Sequence, residues 1–518
     1  MRPLMLALAG CVLLAPIRAE AYVALMAGQS ARPLQGRFND VPVLHSNQPE
    51  EVLGAGILVN TAPGSAITAE TGELIPNATY TFNGEFGLHV HHKYYPQDRS
   101  RLNGPGGRRG ELTLATILTN PGPNPVHIRF AEGAVRNSFE APYLATNLMG
   151  VKPLGPRPWN TGPGDATAVQ VLRGQLDGRL SDEITIPGSS RLVLFSTALP
   201  AKGIANALIK GRSDGPFQMA VVAAEDPSSD ADIFAVLDSG RLAPGRIYLS
   251  RIAQIENGTV FSRVAGVAIG DRYDAVVQHD LDQSPLHVPL TSTSRHNFGT
   301  DEVQVNGLAA RMVDSSINNV GTYGVRFNVE LQLRGSGPYE LVLSHPTANG
   351  RSFTAFRGSI GLETDEGYRE VHVGMRSGES LSLASLNLKP GQVNRVKVTL
   401  VYPADATPGH LLSVVPEQQL ATLRQREQLV AAARQRPQKP SPTPAMPLLA
   451  EPELTLQPKP EPAVVMAPGW SAAPVTLPAT QDLPPMVIEP TRMSQSLMQR
   501  YQQAVEAQQR FIDSLMGR

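Results

Sequence analysis

Cysteine is almost absent from this 518-residue sequence, which contains a single one, Cys11. A chain with one cysteine forms no internal disulfide. Beyond Cys11 the chain has no thiolate metal ligand and no cysteine nucleophile. Charged residues are also few, at 18%, and they sum to a net charge of −1. A near-neutral chain has no overall field that would hold nucleic acid, so we expect no nucleic-acid partner.

Long apolar runs are scarce as well, and the clearest one lies close to the amino terminus. It covers residues 4–14 and is followed by Ala19 and Ala21, a small-residue pattern that a signal peptidase would cleave before Tyr22. The run is too short for a permanent membrane anchor, which needs about 20 residues. Residues 1–21 are therefore predicted to be a signal peptide. We expect the mature chain to be exported to the periplasm, cell envelope or extracellular space, without an integral membrane span.

The position of the lone cysteine leaves an alternative open. Residues 8–11 match the lipobox of bacterial lipoproteins, in which Cys11 becomes the lipid-modified first residue. The apolar run continues beyond Cys11, which favours ordinary cleavage after Ala21. The two alternatives place the mature chain either tethered to a membrane or free of it.

The body of the sequence has the pattern of a mainly β protein. Short apolar stretches alternate with polar residues at every second position, between turns rich in glycine, proline and asparagine. In one such stretch, residues 325–333, the apolar side chains share one face, which is typical of an antiparallel strand with one buried side. The polar residues of its other face are Arg326, Asn328, Glu330 and Gln332. We predict two antiparallel β-sandwich-like domains with short helical insertions, over residues 22–248 and 249–416.

Helices are predicted at two places in or after this β-rich part. Asp230 and Asp232 directly after a serine are typical of a capped helix start, and Gly240 supplies a stop. Residues 417–436 are predicted to form a longer helix that must end before Pro437, since proline disfavours helical geometry in the residue before it.

The carboxyl-terminal part combines a tether with a final helix. Residues 437–490 contain 15 of the 45 prolines, and because proline donates no amide, this segment is predicted to be a disordered, extended linker. Residues 491–518 are predicted to form an amphipathic helix whose apolar stripe repeats at spacings of three and four. The stripe consists of Leu497, Tyr501, Val505, Ile512 and Leu515, with one polar position, Gln508, between Val505 and Ile512. Such a helix either frays or docks on a partner. The partner would be the protein's own body, another copy of the chain, or another envelope protein.

One cluster of candidate metal ligands stands out: His89, His91 and His92. On a strand, His89 and His91 lie on the same face and are near enough to bind one metal ion. Zinc or copper needs a third or fourth ligand, and the spacing of the other histidines supplies none. Structural histidines are the simpler interpretation, so we expect no cofactor, with zinc or copper at this cluster as the alternative.

Other catalytic patterns are weak. Residues 211–215 match G-x-S-x-G by letters, but a strand-like stretch follows Ser213 where a nucleophile elbow needs a helix, so a hairpin turn is favoured. Triads assembled from distant residues stay open. Exposed aromatic side chains that would bind sugar rings are also hard to find, because the only tryptophans are Trp159 and Trp470. We assign no catalytic residue and expect a protein that is not an enzyme.

Several short pieces of the chain match a known pattern. They are residues 32–34, 41–43, 46–47, 56–58, 82–84, 91–92 and 402–408. With these pieces the sequence resembles a family of uncharacterised exported proteins found mainly in cyanobacteria, over about residues 30–415. The resemblance implies export to a bacterial envelope, and it implies no activity, cofactor or site residue.

These observations lead to one expected function and two alternatives. We expect an exported, non-catalytic cell-envelope protein of structural or interaction type, which docks on partners through the helix at 491–518. The first alternative is a metal-binding protein or metal-dependent enzyme that uses the histidine cluster. The second is a carbohydrate-binding protein, since exported β-sandwiches can carry sugar sites.

Overall fold

A computed structural model describes six parts of the chain. They are residues 22–102, 110–143, 149–156, 161–259, 263–347 and 352–435. Within them the fold is mainly β with few helices, which confirms the predicted fold class. Several predicted features lie outside the described residues: the signal peptide with Cys11, Ala19 and Ala21, the tryptophans Trp159 and Trp470, the proline-rich linker, and the final helix with its stripe at positions 497–515.

The strands of the described residues alternate with turns along most of the chain. In chain order they are β1 (Arg37–Phe38), β2 (Pro42–Ser46), β3 (Glu51–Val52), β4 (Gly56–Asn60), β5 (Ser65–Ile67), β6 (Leu74–Pro76), β7 (Glu85–Tyr94), β8 (Glu111–Asn120), β9 (Val126–Asn137), β10 (Gly150–Pro153), β11 (Glu183–Ile186), β12 (Ser190–Pro200), β13 (Ile204–Ser213), β14 (Gln218–Ala224), β15 (Ala265–Ile269), β16 (Arg272–Asp280), β17 (Leu286–Leu290), β18 (Asn306–Arg311), β19 (Asn318–Asn319), β20 (Arg326–Arg334), β21 (Gly337–Ser344), β22 (Thr354–Thr364), β23 (Gly367–Arg376), β24 (Ser380–Leu388), β25 (Asn394–Val401) and β26 (His410–Pro416).

The α-helices are short, except for the last. They are α1 (Pro163–Leu172), α2 (Asp230–Asp238), α3 (Ile252–Glu256) and α4 (Glu417–Gln435). The predicted cap of α2 is present, because the Asp232 carboxylate accepts the Ser229 N–H at 2.9 Å, and Gly240 follows the helix with a φ of 61°. None of the described helices combines the length and hydrophobicity that a membrane span requires.

The described strands form two large sheets and two four-stranded ones, besides the small hairpin of β5 and β6. The seven-stranded sheet has the order β1-β16-β20-β25-β22-β23-β10. The nine-stranded sheet has the order β11-β9-β13-β7-β2-β15-β18-β19, with β3 also paired to β7. The four-stranded sheets have the orders β12-β8-β14-β4 and β17-β26-β21-β24. Most pairings are antiparallel, as predicted, but β16 with β20, and β7 with both β2 and β3, are parallel.

Two hydrophobic cores hold these sheets together in pairs. The first lies between the nine-stranded sheet and the sheet of β8, where Phe86 and Leu88 meet Leu114 and Ile117. The second lies between the seven-stranded sheet and the sheet of β21, and it contains Phe327. Each fully buried side chain of this size stabilises the fold by about 1.5–3 kcal/mol. Face-to-face packing of two sheets over an apolar layer is the β-sandwich arrangement.

Strands from both sides of residue 248 are hydrogen-bonded neighbours in the two large sheets. Arg37 of β1 pairs with Asp274 of β16, and Leu44 of β2 pairs with Val267 of β15. The division into domains at residues 248 and 249 stays a prediction. The early strands β1 and β10 thus complete a sheet of later strands, and the later strands β15, β18 and β19 extend a sheet of early ones.

Helix α1 packs between the two large sheets. Val171 and Leu172 contact Leu208 of β13 on one side and Val401 of β25 on the other. Except for Gln170, the residues of α1 are buried, which fits a helix that has protein on several sides. Its last turn ends at the outer face of the seven-stranded sheet and forms a wall there.

The described residues up to Arg424 belong to one compact unit, and Gln425–Gln435, the rest of α4, belongs to a second. In the first unit, Leu420 packs with Val23 and Leu25. The Gln419 side-chain amide donates to the Leu25 carbonyl oxygen at 2.8 Å. The residues after Tyr22, the predicted mature start, are thus part of the folded body.

Candidate functional site

The histidine cluster lies on β7 and is buried. His89 and His91 share one face, as predicted, whereas His92 points to the opposite face. His91 Nδ1 lies 3.0 Å from the Asn206 side-chain oxygen, and His89 Nδ1 lies 3.3 Å from His45 Nδ1. No three His, Cys, Asp or Glu side chains in the described ranges are grouped as a metal site.

His92 shows how these rings are used within the fold. Its Nδ1–H donates to the Pro49 carbonyl oxygen at 2.7 Å, and its Nε2 accepts from the Ser46 hydroxyl at 2.8 Å. Burial lowers the pKa of His92 to about 3 and that of His45 to about 3, and it lowers the pKa of His89 well below the usual 6.5. These rings are therefore neutral at physiological pH, and both nitrogens of His92 are engaged in hydrogen bonds.

The fold brings together a serine, an aspartate and a histidine that the sequence did not single out. Ser359 on β22 and His372 on β23 are directly paired across the sheet, and Asp165 of α1 lies above them. The Ser359 hydroxyl donates to Asp165 Oδ2 at 3.1 Å, and His372 Nδ1 lies 3.2 Å from the same oxygen. In a hydrolytic triad the serine instead donates to the histidine. All three side chains are buried, so this cluster anchors α1 to the sheet rather than forming a nucleophile–base pair.

Ser213, in the G-x-S-x-G match, ends strand β13 and is followed by a turn and β14. Its hydroxyl accepts the Gly84 N–H at 3.1 Å. The predicted turn is present, but β13 and β14 belong to different sheets, so the connection is a crossover and not the predicted hairpin. The alternation of apolar residues could not show this, because a hairpin and a crossover leave the same pattern in each strand.

The outer face of the seven-stranded sheet is polar and open beyond the end of α1, and we call it the polar face. Strand pairing arranges its side chains in two rows. The first row runs Asp274, Asn328, Thr399, Gly361, Glu370 across strands β16, β20, β25, β22 and β23. The second row runs Val276, Glu330, Lys397, Glu363, Tyr368 across the same strands. The alternating burial along β20 confirms that these residues point away from the core.

A cleft of about 530 Å³ lies where the polar face meets the end of α1. It is lined by Leu172, Arg173, Gln175, Arg326, Asn328, Tyr368, Glu370 and Thr399. The wall comes from the end of α1, and the floor comes from β20, β25 and β23. A concave site with a few fixed polar groups is the usual form of a small-ligand site.

The side chains in the cleft are held in place before any ligand arrives. Arg173 donates to Glu370 Oε2 from Nε at 2.9 Å and from Nη2 at 2.7 Å, and also to the backbone oxygens of Gly155 and Pro156. The Tyr368 hydroxyl donates to Glu370 Oε1 at 3.1 Å. Fixed side chains lose little conformational entropy on binding, which favours affinity.

Tyr368 is the exposed aromatic group of this site, with 58% of its surface accessible. A methyl group at Gly361 would come within 2.7 Å of the Tyr368 hydroxyl oxygen, so glycine leaves the room in which the side chain lies across the sheet. Partial burial and the neighbouring Glu370 raise the pKa of Tyr368 to about 12, with Arg173 and Arg326 opposing the shift. The phenol is therefore neutral and a donor at physiological pH.

Sequence reasoning predicted the facing direction of two residues of this cleft but did not predict the site. The polar residues of β20, among them Arg326 and Asn328, were predicted to share the wet face of a strand, and they do. Tyr368 and Glu370 were missed, although they alternate in the same way along β23. The signal available was that alternation, but only the register between β22, β23 and β25 shows that the strands form one face.

The comparisons with known proteins identify a family but no activity. A family described as protein of unknown function, DUF3370, matches residues 29–416, close to the extent predicted from the short sequence pieces. No curated protein matches the sequence.

Two solved structures are weakly similar. One is a xanthan lyase from Paenibacillus, at 10% identity and a TM-score of 0.13, with 71% of this chain covered. The other is the tandem CBM51 modules of a family 98 glycoside hydrolase from Streptococcus pneumoniae, at 9% identity and a TM-score of 0.14, covering 69% of this chain and 92% of that one. The chain spans only 27% of the length of the xanthan lyase. Scores this low carry no argument about function.

Proposed function

We propose that this chain, which belongs to the DUF3370 family of proteins of unknown function, is an exported, non-catalytic binding protein of the cell envelope. The observation that carries this proposal is the cleft beside Tyr368, whose polar groups are already fixed by hydrogen bonds and stay accessible. The Ser359–Asp165–His372 cluster supports the non-catalytic part, because its aspartate accepts from both partners and its side chains are buried.

Binding through the cleft is tested with a purified cell-envelope preparation as the probe. We expect full-length protein to be retained on it and a Tyr368→Ala variant to lose at least about tenfold in affinity, as for an aromatic side chain at the centre of an interface. Tyr95→Ala is the matched control, since Tyr95 is also exposed, at 42%, but directly follows β7 of the other large sheet. If the Tyr368→Ala variant is retained as strongly as the unsubstituted protein, the cleft is not the binding site.

Export is proposed from the sequence, with cleavage between Ala21 and Tyr22. Fractionation of the producing cells and amino-terminal sequencing test it together. We expect a product that begins at Tyr22 outside the cytoplasm. A first residue of lipid-modified Cys11 would instead establish the lipoprotein alternative, and an unprocessed cytoplasmic product would contradict export.

A docking role is proposed for residues 491–518 at the end of the proline-rich linker. The support is the apolar stripe of the sequence, which needs a partner to be buried. The partner is proposed to be another envelope protein or a second copy of the chain. Deleting residues 437–518 is expected to lower retention in the envelope fraction while leaving the melting temperature of the body unchanged. Unchanged retention and self-association would contradict this role.

A further inference from the structure

We infer that the ligand of the cleft is a neutral saccharide chain that lies across the strands of the polar face. This inference rests on the proposed binding function and adds the chemical class of the ligand. The first row of the polar face crosses five strands, from Asp274 on β16 to Glu370 on β23. Because neighbouring strands lie about 4.8 Å apart, the row is about 19 Å long, which suits a short oligomer rather than a single small molecule.

The second step concerns hydrogen bonding. Along the first row, a carboxylate, an amide and a hydroxyl follow one another at Asp274, Asn328 and Thr399. Arg173 at the wall and Glu370 on the floor of the cleft are bonded to each other at the end of this row. A ligand hydroxyl both donates and accepts, so it can bind anywhere along such a mixed row. Asn328 also donates to Asp274 Oδ1 at 2.8 Å, so a ligand meets the remaining donor and acceptor positions of these groups.

The third step concerns charge. The two arginines that line the cleft, Arg173 and Arg326, and three further basic side chains of the polar face are already paired with carboxylates. The pairs are Arg173–Glu370, Arg272–Asp274, Arg326–Glu132, Arg395–Glu330 and Lys397–Glu363. An anionic ligand would have to displace these carboxylates and would face their repulsion, and a cationic ligand would displace the guanidinium groups in the same way. The balanced charge of the cleft therefore favours a ligand without net charge.

The fourth step concerns the ring of Tyr368. An exposed aromatic ring offers an apolar surface in an otherwise polar site, and its hydroxyl remains bonded to Glu370. The ring face of a sugar presents C–H groups, whereas its edge presents hydroxyls. A saccharide matches both features of the site, with its ring face on Tyr368 and its hydroxyls toward Asn328 and Thr399.

The experiment is a glycan and peptide array probed with full-length protein, followed by calorimetry with the best-binding probes. The array carries neutral hexose oligosaccharides, uronic-acid oligosaccharides, and acidic and basic peptides. Tyr368→Ala is expected to weaken binding of neutral oligosaccharides at least tenfold. Tyr368→Phe keeps the ring and Tyr95→Ala leaves the site intact, so both are expected to change the affinity less than threefold. Asn328→Ala serves as a second test of the site if Tyr368→Ala does not fold.

The outcomes separate this inference from the proposed function. Preference for neutral oligosaccharides, lost in Tyr368→Ala and Asn328→Ala, supports both. Preference for uronic acids or peptides that is lost in the same variants overturns the neutral-saccharide inference and leaves the cleft as a binding site. If all variants bind saccharide with equal affinity, the cleft is not the saccharide-binding site. No binding to any neutral probe at millimolar concentration overturns the inference, and the envelope-retention assay then decides the proposed function alone.

Discussion

At the scale of single residues, Tyr368 shows how neighbours fix the state of an accessible side chain. The Glu370 carboxylate accepts its hydroxyl, and Arg173 in turn holds that carboxylate with two hydrogen bonds. Burial and the negative charge both oppose ionisation of the phenol, so the group keeps its proton up to a pH of about 12. Arg173 therefore positions Tyr368 indirectly, because it fixes the Glu370 carboxylate to which the Tyr368 hydroxyl donates.

Replacing Glu370 with glutamine is expected to lower the pKa of Tyr368. The carboxylate destabilises the phenolate, and its removal leaves burial as the main opposing factor, so part of the shift from the usual value of 10 should remain. The measurement is the ultraviolet titration of tyrosinate, taken as the difference between the Glu370→Gln variant and the same variant carrying Tyr368→Phe. An unchanged or higher pKa would show that the hydrogen bond between the two side chains does not form.

Arg246 and Asp314 form an ion pair that is fully buried in the described structure, with Nη1 3.0 Å from Oδ2. Asp314→Ala is expected to lower the free energy of unfolding by about 3–5 kcal/mol, because it leaves a buried guanidinium without its counter-ion. Asp365→Ala is the matched control at the exposed pair with Lys389 and is expected to change stability by less than about 1 kcal/mol. Chemical denaturation measures both, and equal effects would show that water reaches the Arg246 pair.

At the scale of elements, one backbone edge of strand β12 has no strand partner among the described residues. The strand pairs only with β8 in the described part of the chain, so one of its edges is free, and residues 192–200 carry no charge. Arg191, held to Asp238, is the charge nearest to this run. Free edges with apolar side chains pair readily with other chains, and native proteins usually blunt them with charges or bulges. Here a bulge between Val193 and Phe195 is the main interruption.

Placing a lysine at the exposed Ser196 of β12 is expected to slow aggregation during heating. The charge would have to be desolvated on pairing with another edge, while the folded monomer keeps it in water, so unfolding free energy should change by less than about 0.5 kcal/mol. Light scattering during a thermal ramp measures the effect. Gln254→Lys, which adds the same charge on the exposed side of α3, controls for net charge. If both variants aggregate at the same rate, the chains do not aggregate by pairing at the free edge of β12.

The partners of individual strands and side chains are what the sequence could not predict. Strand type and facing direction could be predicted, as for the alternating residues of β20 and the shared face of His89 and His91. The partners of those side chains could not, because they come from distant parts of the chain: His91 meets Asn206, and Asp165 meets Ser359 and His372. Alternation is a local property, whereas register is set by the packing of whole sheets.

At the scale of the molecule, buried histidines connect the two cores. A row of ring contacts runs from the nine-stranded sheet to the sheet of β26, with neighbouring centroids 5.1–6.4 Å apart. It consists of His45, His89, Tyr323, Tyr402, His410 and His345. Burial holds the imidazole pKa values of this row below 6.5 and gives about 4 at His345. The interior of the protein thus contains many rings that cannot take up a proton without loss of packing.

We expect stability to fall as the pH drops below about 6.5. In the unfolded chain the histidines bind protons near pH 6.5, whereas in the folded chain His45, His92, His287, His296 and His345 have pKa values of only about 3–4. Stability is therefore level above pH 6.5 and decreases from there toward pH 4, by up to about 1.4 kcal/mol per pH unit for each histidine. Denaturation midpoints measured across this range test the sign. His410→Phe should make the decrease shallower, and a flat profile would contradict neutral burial.

The pairing of β1 with β16 has a consequence for how the chain reaches this structure. Arg37 of β1 pairs with Asp274 of β16, and β10 pairs with β23. Because β16 and β23 lie in the second half of the sequence, β1 and β10 have no strand partner until that half has been synthesised. Contacts between such distant segments form slowly, and the waiting strands have unsatisfied backbone groups in the meantime. Newly made chains should therefore depend on chaperones that keep them apart until synthesis is complete.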